Sequence, residues 1–305
     1  MVKHPKGCDT KLKGPQFSLS QPAAITYLCD VRYGCFLYFV TLIIFKIQWE
    51  GEMSISEKVQ AVVDSGISPL SFSFEPIRFF SDGEAVIRTN LIINSLDVGM
   101  LTFEQYRYVA GRSKQGEALA ARHLEKLLRA LPTLAEKFPS ARCFTVPVFT
   151  RMLKDGKLSK LLFDLFAKFP EASPSLVCIE ISADVLYEDM EEMRVRISEL
   201  SHLGVKVALS EVGDEYCPIF RLSGVKLDYA FLAEYAVASF STDDRERVAG
   251  NIIKYLHSLG AKVVAPGPID SYGLENAKEL DLDGIADGGL PTSEQVGEED
   301  FDERE

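Results

Sequence analysis

The sequence predicts an α/β fold, a closed (β/α)8 barrel of the TIM type, and three observations carry that expectation. Short β-branched runs recur between helical patterns at Val177–Ile181, Val205–Leu209, Val225–Asp228 and Lys262–Ala265. Strands that alternate with helices in this way build a parallel sheet, and this many of them close it. Asp82-Gly83 marks a hairpin turn between two β-rich runs, so the first strand pair is antiparallel. The 305 residues and 47% hydrophobic content suffice for one barrel of about 250 residues with extra ends. An open doubly wound sheet would be favoured by a Gly-x-Gly-x-x-Gly turn after the first strand, and the sequence has none.

In chain order, residues 53–69 read as a lead-in helix, Leu70–Phe80 as the first strand and Ala85–Ile93 as the second. Thr102 caps a helix start at Phe103, and a long helix runs from about Gln115 to Phe138 with Pro132 near its end. Strand Cys143–Val148 leads to a helix over Arg151–Phe169. Strand Leu176–Ile181 leads to a helix over Met190–Leu203 that Gly204 closes, and strand Val205–Leu209 follows. Strand Val225–Leu227 precedes a helix from about Asp243 to Leu259, which aligns Val248, Ile252, Tyr255, Leu256 and Leu259 on one face. Strands Lys262–Ala265 and Gly284–Ala286 complete the set, and the barrel spans about residues 70–290.

The ends differ from the barrel. Residues 1–52 begin basic, with Lys3, Lys6, Lys11 and Lys13, and continue into an apolar stretch over residues 34–49 that Lys46 interrupts. That run is shorter than the roughly 20 apolar residues of a membrane-spanning helix. Three readings stand. Met53 is the true start, because Glu50-Gly51-Glu52 is what purine-rich ribosome-binding codons would spell. Alternatively residues 34–49 anchor the chain to a membrane, or the segment is a genuine extension. The first implies a cytoplasmic protein and the second a tethered one. Residues 291–305 carry an excess of carboxylates equal to half the formal net charge of −12, and read as an acidic, disordered tail.

That charge, with a pI near 5.0, argues against a nucleic-acid partner, whose phosphates need a basic face. Cys8, Cys29, Cys35, Cys143, Cys178 and Cys217 lack zinc-like spacing and read as reduced thiols. The four histidines are scattered without ligand spacing.

The strand ends carry the functional signal. Phe74-Glu75-Pro76-Ile77, Glu180-Ile181-Ser182-Ala183, Ser210-Glu211-Val212-Gly213, Lys226-Leu227-Asp228 and Pro266-Gly267-Pro268-Ile269 occur in that order. Their order, spacing and lettering resemble the EAL domain, a bacterial phosphodiesterase family that linearises cyclic di-GMP with two metal ions. The resemblance covers about residues 70–290 and implies which residues stand at the family's site. Glu75 replaces the usual glutamine. Counting back from Gly99 puts Thr89 at the metal-binding glutamate and Ile93 at the phosphate-binding arginine, with Glu84 and Arg88 as the alternative. Pro147 stands for a ligand asparagine, Glu180 for a retained glutamate, and Ser210 and Glu211 for two aspartates. Lys226 and Asp228 are intact, Pro266 replaces the general base, and Asp287 falls at a late glutamine.

Proline cannot bind a metal or accept a proton, and two cations about 3.5–4 Å apart need several carboxylates. The resemblance therefore implies a degenerate barrel with no catalytic residues and no cofactor, Mg or Mn entering only if the site works after all. The expected function is a regulatory module that binds another protein in cyclic di-GMP-type signalling. The alternative is a non-hydrolysing cyclic di-GMP receptor with Arg88 and Lys226 as ligand-binding candidates. A working phosphodiesterase would require several strand assignments to be wrong. Glu180 and Lys226 are expected to pair across the barrel mouth.

Overall fold

A computed structural model describes residues 53–65, 70–95, 99–214, 217–238, 243–265 and 271–286. The chain divides into two compact units, Met1–Glu52 and Met53–Glu305, and all described residues belong to the second. The expectations for residues 1–52, the acidic tail, Pro266 and Asp287 lie outside the described residues.

Helix α1 (Ile55–Ser65) leads into β1 (Leu70–Phe79) and β2 (Ala85–Ser95), then β3 (Gly99–Leu101), α2 (Phe103–Gly111), α3 (Lys114–Lys137) and β4 (Ala141–Val148). Next come α4 (Thr150–Leu153), α5 (Lys157–Lys168), β5 (Val177–Ser182), α6 (Met190–His202) and β6 (Lys206–Val212). β7 (Tyr229–Leu232), α7 (Glu234–Ala238), α8 (Asp243–Ser258), β8 (Lys262–Ala265), α9 (Ser271–Glu279) and β9 (Gly284–Ala286) complete the order. The sheet runs β1-β9-β8-β7-β6-β5-β4-β2-β3, and β1 also pairs with β2. Eight strands therefore close on themselves, with β3 as an appended ribbon on β2. β1 is antiparallel to both neighbours, and the other barrel pairs are parallel.

Local chemistry explains these elements. The hairpin turns at Gly83, whose φ of 70° suits glycine, and the Asp82 carboxylate accepts from the Glu84 amide at 3.0 Å. Arg142 grips Asp82 and Glu84 at 2.5 Å each, tying the hairpin to β4. The Thr102 amide donates to the Gln105 side chain at 2.9 Å at the start of α2. The helix expected over Arg151–Phe169 is instead broken in two. Asp155 and Gly156 both take left-handed backbone angles, φ 60° and 66°, and so interrupt the ladder.

Because alternate strand residues face opposite ways, the barrel holds two cores. Inside the lumen lie Ile77, Phe79, Val86, Cys143, Cys178, Ala208, Tyr229, Phe231, Val264 and Ala286. The larger core fills the layer between strands and helices and includes Ile87, Leu91 and Ile93 of β2 and Leu124, Leu127 and Leu131 of α3. Among the described residues, no helix is long and apolar enough to cross a membrane.

Candidate functional site

The C-terminal ends of the parallel strands open into a cavity of about 760 Å³, the end of a barrel where catalytic groups collect. At its floor Arg88 of β2 reaches across the lumen. Its Nε and Nη2 donate to the two carboxylate oxygens of Glu180 on β5 at 3.2 and 2.7 Å, and its Nη1 donates to Glu75 of β1 at 3.2 Å. The Thr145 hydroxyl of β4 donates to Glu180 at 3.1 Å. Arg88 also stacks 5.3 Å from the Phe231 ring centre. Parity explains the meeting: in β2 the even-numbered residues Val86 and Arg88 face the lumen, while odd-numbered Ile87 and Leu91 face the helices. Burial alone would push the Arg88 guanidinium down. The Glu180 carboxylate more than offsets this, and the net shift is upward.

A second ionic group sits on the rim. Arg107 of α2 binds Glu211 and lies 2.8 Å from Glu104 and from the Tyr108 hydroxyl. Glu211 occupies an irregular stretch of β6 with φ 61°, and its other oxygen accepts from the Ser182 hydroxyl at 2.7 Å. Burial raises the Asp184 carboxyl, and the nearby Glu211 charge adds to the shift. Seven carboxylates line the cavity against four guanidinium groups, so its field is acidic.

Pro147, Glu180, Ser210 and Glu211 all line this cavity, and Glu75 reaches it through Arg88. Other expected residues lie elsewhere. Thr89 faces outward, fully buried, where its hydroxyl meets His123 of α3 at 2.9 Å and donates to the Thr145 carbonyl. Ile93 points the same way into the outer core. Arg88, one residue before Thr89, holds the lumen-facing place that the assignment gave to Thr89. Glu84 lies at the opposite end of the barrel on Arg142.

The segment Val225–Asp228 is not strand; β7 begins at Tyr229. Lys226 is exposed below the strand, and Asp228 bridges β6 and β7 there, its carboxylate accepting from the Val207 amide at 2.9 Å. Glu180 therefore pairs with Arg88 and not with Lys226. The residues at the mouth here are Phe231 and Leu232 of β7 and Ala233, which follows it. Sequence reasoning also missed Arg107, Thr145 and Asp184.

A pair of hard cations would need free, converging carboxylates. Both Glu180 oxygens are taken by Arg88, and both Glu211 oxygens by Arg107 and Ser182. Pro147, Phe231 and Ala233 bring no oxygen donor in their side chains. Among the described residues no three His, Cys, Asp or Glu side chains form a metal-holding group. Among the described residues, Glu180 and Glu211 do not present the pair of free carboxylates that a two-metal centre needs.

A family model described as the EAL domain matches residues 70–285. Among solved structures, the PaMucR phosphodiesterase in its c-di-GMP complex superposes with a TM-score of 0.70 at 15% identity, covering 80% of this chain and all of that one. The FimX EAL domain from Pseudomonas aeruginosa, bound to c-di-GMP, gives 0.66 at 14% identity over 78% of this chain and 96% of its own. A Vibrio cholerae LapD S helix-GGDEF-EAL structure gives 0.65 at 12% identity over 77% of this chain and 56% of its own. These identities make the likeness one of fold. No curated protein matches the chain.

Proposed function

The chain belongs to the EAL domain family, and from that premise we propose that it is a non-catalytic member, a regulatory barrel that acts by binding another protein in cyclic di-GMP-type signalling. One observation carries the reading. At the strand ends that face the cavity, Pro147, Phe231 and Ala233 neither hold a hard cation nor take a proton from water, and the carboxylates of Glu180 and Glu211 are engaged by Arg88 and Arg107. Losing one general base commonly costs about 10²–10⁴ in rate, and loss of the metals compounds it. The acidic lining adds support, because it opposes a ligand with two phosphates.

A second reading, a receptor that binds cyclic di-GMP without cleaving it, draws on Arg107, Arg112 and Arg151, which line the cavity and offer donors suited to phosphate. Calorimetric titration of the full chain with cyclic di-GMP, with and without Mg²⁺ or Mn²⁺, separates the two. No heat and no linearised product is the expected result. Binding without product moves the receptor reading to first place. Metal-dependent turnover of ~1–10³ per second overturns both.

A further inference from the structure

Glu180 is 4% exposed, and a carboxylate so far from water needs a fixed counter-charge. Arg88 supplies it through both oxygens and extends the same guanidinium to Glu75. The group is held from several sides: β1 gives Glu75, β5 gives Glu180, and β7 gives the Phe231 ring beneath it. A divalent ion approaching Glu180 would meet a buried positive charge on the same oxygens, where charges interact strongly.

We propose that the Arg88 guanidinium is the resident cation of the barrel mouth, standing in for a divalent ion and excluding it. The inference rests on the non-catalytic reading and deepens it. It assigns Arg88 as the residue that makes the mouth independent of metal. Removing its charge would leave the Glu75 and Glu180 carboxylates, which now share the guanidinium, facing one vacated position. Those are hard oxygen donors from two strands, the class that takes Mg²⁺ or Mn²⁺.

The test is thermal melting of the full chain and of Arg88→Gln, each in chelator and in Mn²⁺ at matched ionic strength. The wild type should melt at the same temperature in both. Arg88→Gln should melt lower in chelator and rise by roughly 5 °C or more in saturating Mn²⁺. Arg88→Gln combined with Glu180→Gln should lose that response. If Arg88→Gln does not fold in chelator, the expected result is recovery of native circular dichroism when Mn²⁺ is added.

No Mn²⁺ response in Arg88→Gln, or an equal response in the wild type, overturns the inference. A silent variant leaves the non-catalytic reading intact. That reading fails separately, through turnover by the wild type.

Discussion

Replacing Arg88 by methionine keeps much of the side chain's bulk and removes three charge-assisted hydrogen bonds at once. Glu180, at 4% exposure, then keeps the Thr145 hydroxyl as its hydrogen-bond partner among the described residues. Breaking one side of a buried ion pair costs about 3–5 kcal/mol, because the remaining charge stays uncompensated. Glu75 is more exposed, at 26%, and adds little. At roughly 2–4 °C per kcal/mol for a domain of this size, the melting point should fall by on the order of 10 °C. The assay is urea and thermal denaturation in chelator. Adding Glu180→Gln to Arg88→Met should recover most of the loss, since neither site then carries a charge that needs a partner. A single substitution costing less than about 1 kcal/mol, or a double variant as unstable as the sum of its parts, would refute the reasoning.

His123 is held neutral by burial, its pKa pushed down to about 3. The unfolded chain protonates near the ordinary value, so stability is full above about pH 6.5 and falls between there and about pH 3, by about 1.4 kcal/mol per unit. Comparing urea stabilities of the wild type and His123→Gln across that window should show a shallower slope in the variant; equal slopes would count against the assignment. Lys226→Met should leave stability within about 0.5 kcal/mol of the wild type, because the side chain is exposed at the far end of the barrel; a large loss by the same measurement would contradict its placement. A chain beginning at Met53 should melt with the full-length protein, since Met53–Glu305 is a compact unit of its own; failure of the shortened chain to fold would disprove this.

The barrel was legible because its signals are local. Lys262–Ala265 and Gly284–Ala286 fall where the sequence puts them, and Asp82-Gly83 turns the hairpin. The mouth was only partly legible. Counting back from Gly99 landed on Thr89, one residue from Arg88, and a one-residue slip in a strand exchanges lumen for helix layer. The Lys226-Leu227-Asp228 lettering drew attention from Tyr229–Leu232, a continuous apolar run and the better signal for a strand buried on both faces. The Asp155-Gly156 pair was a turn signal inside an otherwise helical pattern. Arg107 had no sequence signal: its partner Glu211 lies 104 residues away, and an arginine on a helix looks the same whether it meets solvent or a rim carboxylate.

The antiparallel setting of β1 has a mechanical consequence. In every other barrel strand the mouth lies at the outgoing end, but β1 runs the other way, so the chain enters the barrel at the mouth. From Leu70 to Glu75 is about 17 Å of a single strand, and Glu75 is hydrogen-bonded to the guanidinium that neutralises Glu180. Tension applied at Leu70 is therefore borne in line by the strand that carries Glu75. Leu70 and the floor of the cavity lie on one load path.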